Sequence, residues 1–109
     1  MHIPSITDEM LATIVEAAAS PIMILFTEAG SPECHRLRAV TSVLADEFDD
    51  RVIFLEVNAN ENPSSAAAYA AVRFPSIVTI KRGGVVGRAV GEVDRPRVEE
   101  LIEKAVAAK

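Results

Sequence analysis

Two short motifs hold the residues of this chain that can do chemistry: Ser31-Pro32-Glu33-Cys34, which follows an apolar run, and Phe74-Pro75-Ser76, which opens another. The chemistry would be that of sulfur. Cys34 falls in the opening turn of a helix, where unpaired N–H groups and the dipole favour a thiolate. His35 and Arg36 strengthen that bias, and Glu33 opposes it. The plainer reading is a half-buried, inert thiol, since free cysteine is among the most buried residue types. Ser31 also has two readings. Ser-Pro-Glu is a good helix start in itself: serine caps, proline takes the first position, and glutamate favours the dipole. A nucleophilic serine would need a base held by a third group; His35 lies on the following turn, but no orienting partner is evident.

Composition bounds the rest. At 109 residues the chain reads as a single domain, 1–109, large enough to bury a core. Half of its residues are apolar and a quarter charged, which is ordinary for a soluble globular domain. A formal net charge of -5 with scattered basic residues gives no electrostatic case for nucleic acid or an anionic membrane. A single cysteine excludes an internal disulfide and any multi-cysteine metal site. His2 and His35 are too far apart to make a zinc site without other ligands, so no metal or cofactor is expected. The apolar run Ile22 to Phe26 is far short of a membrane span, and no signal-peptide pattern is visible. A cytoplasmic monomer is the expectation.

Periodicity and punctuation predict the elements that must position the two motifs. Thr7 caps a helix with Asp8 and Glu9 in its first turn and Met10, Leu11, Ile14, Val15 and Ala18 at helical spacing; Ser20-Pro21 ends it. Ile22–Phe26 reads as a strand buried on both faces. A second helix runs from about Pro32 to Phe48, with Leu37, Val40, Thr41, Leu44 and Phe48 inward and Arg36, Arg38, Asp46 and Glu47 outward. Val52–Val57 is a strand. Asn62-Pro63 starts an alanine-rich helix that extends to about Val72. Ser76–Lys81 and Val85–Val90 form a hairpin through Arg82-Gly83-Gly84, and Asp94 caps a last helix. The order α-β-α-β-α-β-β-α gives one mixed α/β sheet of four strands, or five if a short one forms at Ile3, with helices on both faces.

Read with its motifs, this order resembles the thioredoxin family over nearly the whole chain, from about Ile6 to Ala107. Pro21–Phe26 resembles the strand that feeds the family's active site, and Glu56-Val57-Asn58-Ala59-Asn60-Glu61-Asn62-Pro63 its "vNxDxNP" stretch. Tyr69 followed by Pro75 resembles "Y…IPT", Lys81-Arg82-Gly83-Gly84 resembles "FKNG", and Val90-Gly91 the glycine before the last helix. The resemblance implies a cis bond at Phe74-Pro75 and a groove for an extended protein or peptide chain bearing a thiol or disulfide. Gly30, Pro32, Arg73, Phe74, Pro75 and Gly91 would border it, although Arg73 reads equally as a solvated charge.

The departures from the family pattern concern the chemistry. Trp-Cys-Gly-Pro-Cys-Lys aligns with Gly30-Ser31-Pro32-Glu33-Cys34-His35, so the attacking sulfur is replaced by an oxygen and the site is Ser-x-x-Cys. The family's buried aspartate aligns with Leu25 and its lysine partner with Glu56. Ser31 reads as a natural residue or as a cysteine replaced by serine, and the sequence admits both. A lone buried carboxylate is costly, so Glu56 should be protonated, paired or at the sheet's edge; an edge or water-filled placement is expected, with no functional meaning. Two functions are compatible with these residues. One is a thiol-disulfide protein limited to mixed disulfides through Cys34; the other is a redox-inactive module that binds partners in the cis-proline groove.

Overall fold

Residues 22–26 are apolar on both sides of the pleat, so this strand can lie only where both faces are covered. In the computed structural model, which describes residues 3–109, it is β1 (Ile22–Thr27), the inner partner of two neighbours. β2 (Ile53–Asn58) pairs with it in parallel and β3 (Ser76–Lys81) antiparallel; β4 (Gly84–Val90) then pairs antiparallel with β3. The four-stranded order is β2-β1-β3-β4. His2 lies outside the described residues. In place of a fifth strand at Ile3 there is a single parallel bridge, Ser5 to Glu56, flanked by Ile6 N–H to Glu56 C=O and Glu56 N–H to Pro4 C=O. The exposed Pro4 and Thr7 on either side leave too few sheet-compatible residues to prolong it.

Four helices cover the sheet. α1 (Asp8–Ala17) and α3 (Pro63–Ala68) pack on one face, where Leu11 and Ala66 meet Ile24, Phe26 and Val57. α2 (Pro32–Glu47) and α4 (Arg95–Ala107) pack on the other, where Leu37, Leu44 and Ile102 meet Met23, Leu25 and Ile77. Thr7, Ser31 and Asp94 cap α1, α2 and α4 as their types predict. Met10, expected on the inner stripe of α1, is exposed; Leu11, Ile14 and Val15 make the contact instead.

α3 departs further from expectation, because it stops at Ala68 rather than near Val72. The Ala70 N–H bonds the Ala67 carbonyl, the Ala71 N–H bonds that of Ala66, and Ala70 has φ +55. This is a Schellman ending built on alanine, without the glycine that usually announces one. The start of α3 is also unusual, since the Asn62 side chain makes no bond to its own helix. Its Oδ1 accepts the Asp8 N–H of α1, while Asp8 Oδ1 accepts the Ser65 N–H of α3. Each helix thus caps the other.

Arg82 (φ 51) and Gly83 (φ 82) turn β3 into β4 as a two-residue hairpin of the type that right-handed strand twist favours. A bulge between Thr79 and Ile80 follows, and the side-chain space over Gly87 is filled. A Cβ there would lie 2.8 Å from Thr79 Oγ1 and 2.9 Å from Leu101 Cδ2.

Candidate functional site

Because β3 runs antiparallel to β1, its start faces the end of β1: Ser76 pairs with Phe26. Pro75 therefore lies at the edge of the sheet from which the chain enters α2 through Gly30 and Ser31. Gly91, following Val90 opposite Ser76, lies at the same edge. The loops at the carboxyl ends of parallel strands are where open α/β sheets gather their ligands. The Phe74-Pro75 bond is cis, and the Gly91 N–H bonds the Pro75 carbonyl at 2.8 Å. Gly30 (φ +74) and Gly91 (φ +85) adopt a backbone that other residues take only with strain, and the space beside each is open. Phe74 is half-buried against the α1–α3 core, and Arg73 is exposed. This end is reached by a hollow of about 250 Å³ at Ser76 and Val90. A hollow of about 450 Å³ beside Val15, Glu16, Tyr69 and Arg82 lies by the β3–β4 turn, at the opposite end.

Ser31 and Cys34 divide the tasks of the α2 start. The Ser31 hydroxyl accepts the Cys34 N–H at 3.2 Å and donates to Glu33 Oε2 at 3.0 Å. Its oxygen is committed as a cap, and His35 gives it no base: the imidazole Nδ1 instead faces Arg38 Nη1 at 3.2 Å. Ser31 is 9% exposed and Cys34 only 1%, so the thiol lies under the surface, at the inner side of the helix. Pro32 occupies the first turn, where its missing N–H costs nothing.

Glu56 lies on an edge strand, as expected, but is paired rather than water-filled. It stands on the outermost strand but is 8% exposed, covered by the 4–6 segment and by α2. A carboxylate there must be paired, and Arg38, expected to point outward, turns in to pair it. Its Nε bonds Oε1 at 2.8 Å and its Nη2 bonds Oε2 at 2.7 Å, while Thr27 Oγ1 donates to Oε2 at 3.0 Å. The bond to Glu56 pushes the already high Arg38 pKa further up. Farther out, Arg36 grips Glu92, just past Gly91, with two contacts of 2.8 Å. That guanidinium holds the Glu92 carboxyl below the usual carboxylate range.

The residues singled out from sequence (Gly30, Ser31, Pro32, Cys34, Arg73, Phe74, Pro75 and Gly91) thus all lie at one end of the sheet. Sequence reasoning missed the Thr27–Glu56–Arg38 group. The available signal was the i, i+4 spacing of Cys34 and Arg38, which puts an arginine on the inner face beside an unpartnered acid. Among the described residues no group of histidine, cysteine, aspartate or glutamate is arranged to hold a metal ion, and no helix is long and apolar enough to cross a membrane.

A thiol at a helix start and a cis-proline loop at the same end of a mixed four-stranded sheet fit the thioredoxin-like class of folds. The comparisons narrow this: the thioredoxin family model matches residues 2–104, and the chain belongs to that family. It is 27% identical over 104 residues to a thioredoxin of Staphylococcus epidermidis, covering 95% of this chain and 98% of that protein. It is 26% identical over 100 residues to thioredoxin 1 of Synechococcus elongatus, covering 92% and 94%. A chloroplastic thioredoxin M4 of Arabidopsis thaliana is 24% identical over 95% of this chain, which spans 54% of the plant protein.

Proposed function

We propose that this thioredoxin-family chain engages protein or peptide thiols and disulfides, presented in an extended strand across Phe74-Pro75 and Gly91, and forms at most a mixed disulfide through Cys34. The observation that carries this reading is the division of labour at the start of α2. The position of the family's attacking sulfur holds Ser31, whose oxygen is occupied as a cap, and the remaining sulfur is Cys34. Thiol exchange needs an attacker and then a resolver. With one sulfur the first half-reaction is open and internal turnover is closed.

Turnover of a protein disulfide with excess reductant tests this. The chain as it stands sustains no catalytic reduction, and Ser31→Cys gains it, with the added sulfur attacking and Cys34 resolving. Multiple turnover by the unmodified chain that survives Cys34→Ala would overturn the reading.

The 1% exposure of Cys34 favours a second reading, in which the same surface recognises a partner and no sulfur chemistry takes place. Amide shift mapping with extended peptides separates the two. Shifts at Phe74 and Ser76 that persist in Cys34→Ala belong to recognition alone, and shifts confined to another face exclude both.

A further inference from the structure

The hollow of about 450 Å³ by the β3–β4 turn is lined by three elements that the thiol chemistry leaves unused. Its apolar lining is Val15, Ala18 and Tyr69, all half-buried on the α1–α3 core. A second hollow, of about 220 Å³, shares Ala12 and Tyr69 with it and continues between α1 and α3 past Leu11 and Ala68. Tyr69 is held in place between them: its carbonyl accepts from Arg88, and its ring lies 6.2 Å from that of Phe26. Glu16 of α1 and Arg82 of the hairpin turn border the larger hollow. Among the described residues neither charge has a hydrogen-bond or ion-pair partner, and the two do not pair with each other. The contrast with the other arginines is sharp. Arg36, Arg38, Arg95 and Arg97 each hold a carboxylate, whereas Arg82 lines a cavity and holds none. The Tyr69 hydroxyl also lacks a partner, and burial pushes its pKa up, so it stays an O–H donor.

We propose that the joined hollows bind a small zwitterion, a free α-amino acid with an aromatic or long apolar side chain. A lone anion placed here meets Glu16 and a lone cation meets Arg82, so only a molecule with both charges suits both groups. The ligand carboxylate goes to Arg82, whose fork matches that group, and the ammonium to Glu16. The side chain lies on Tyr69 and enters the second hollow, where Leu11, Ala12 and Ala68 take it out of water. At about 450 Å³ the larger hollow is within the range of about 300–1,000 Å³ typical of small-molecule sites, which combine apolar walls with a few polar groups. Gly83, with φ +82 and open space where a Cβ would stand, leaves the turn side of the hollow unobstructed. Glu16 and Arg82 are both exposed, so each charged contact is screened and the affinity falls in the millimolar range. The site is independent of the mixed-disulfide reading: no bond is made or broken in it, and the thiol stands at the other end of the sheet.

Amide shift titration of the full chain with three probes tests this: L-phenylalanine, N-acetyl-L-phenylalanine and L-phenylalaninamide. The free amino acid is expected to shift Ala12, Tyr69 and Gly83 and to saturate in the millimolar range. Blocking either of its charges is expected to weaken binding about tenfold. Two substitutions then assign each charge to its partner. Arg82→Gln should cost the free amino acid about tenfold and change little for the amide, which has no carboxylate to lose. Glu16→Gln should do the same to the free amino acid and change little for the N-acetyl derivative. The comparison of probes on the unmodified chain stands whether or not a variant folds. Equal affinity for all three probes overturns the assignment, as does an Arg82→Gln protein that weakens all three alike. Shifts that never saturate, or that gather at Phe74 and Gly91 instead, overturn it as well.

Discussion

On the α1–α3 side of the sheet, Ile22, Ile24, Phe26, Val57 and Ile80 present hydrocarbon to the helices, and the buried Ser76 at the end of that face bonds the nearby Arg73 carbonyl. On the α2–α4 side, the apolar pattern is interrupted by Thr27, Glu56 and Thr79, all buried. Thr27 and Glu56 are satisfied by each other and by Arg38, whereas Thr79 Oγ1 has no hydrogen-bond partner. The difference separates two tasks. A hydrocarbon face asks only for volume, and volume can be filled in many ways. A face with buried polar atoms asks for directions as well, and any change must leave each atom a partner. The cysteine stands over the second face. That is the face where geometry is most tightly specified, while the opposite face chiefly supplies volume.

The largest test of this contrast is Phe26→Ala. Phe26 is fully buried and lies with its ring centroid 6.2 Å from that of Tyr69. Its removal is expected to cost about 3–5 kcal/mol in chemical denaturation, whereas Phe26→Leu, which keeps most of the volume, costs much less. On the polar face the expectation inverts. Glu56→Leu strands the Arg38 guanidinium and costs about 2–3 kcal/mol, held below the fully buried range because Arg38 reaches solvent. The double change Arg38→Met with Glu56→Leu recovers most of that loss, short of the cost of the Thr27 hydroxyl it leaves without its Glu56 acceptor. A double variant as weak as the sum of the two singles would break the comparison.

A smaller effect of opposite sign belongs to the end of α3. Ala70 holds a left-handed backbone in an exposed position, so Ala70→Gly is expected to raise stability by about 1 kcal/mol, read as a higher denaturation midpoint. The smallest test is acid. Bonds from Ser65, chiefly its side chain, hold the Asp8 carboxyl below its ordinary range. A lowered folded value means that this group stabilises fully above the ordinary range and loses its share as pH falls through the lowered one. The stability difference between the protein and Asp8→Asn should therefore narrow on acidification; a constant difference would show that the cap acts through geometry alone.

The backbone plan was legible because each element carried its own signal. Continuous hydrocarbon marked β1, Ser31-Pro32 marked the start of α2, and Arg82-Gly83-Gly84 marked the hairpin. The end of α3 was not legible, since alanine propensity runs on through Ala67 and Ala68, and only tertiary packing picks Ala70 for a left-handed turn. The candidate site divides in the same way. Ser31, Cys34, Pro75 and Gly91 announce themselves by type and spacing. Glu56 and Arg38 do not, because a charged residue on a strand and another on a helix each look like solvated surface until the fold puts them face to face.

The exchange of caps between α1 and α3 bears on how the chain is settled as it is made. Asp8 finds the side chain of Asn62 54 residues later and the backbone of Ser65 57 residues later. At about 5–20 residues per second, the start of α1 waits some 3–10 seconds on the ribosome before its partner has even been synthesised. During that interval its apolar stripe, Leu11 with Ile14 and Val15, has β1 within reach but nothing to fix its angle. α1 is thus made well before the residues that lock it. A nascent chain halted just short of Asn62 would carry it as a loose, protease-sensitive arm on a sheet still missing β3 and β4.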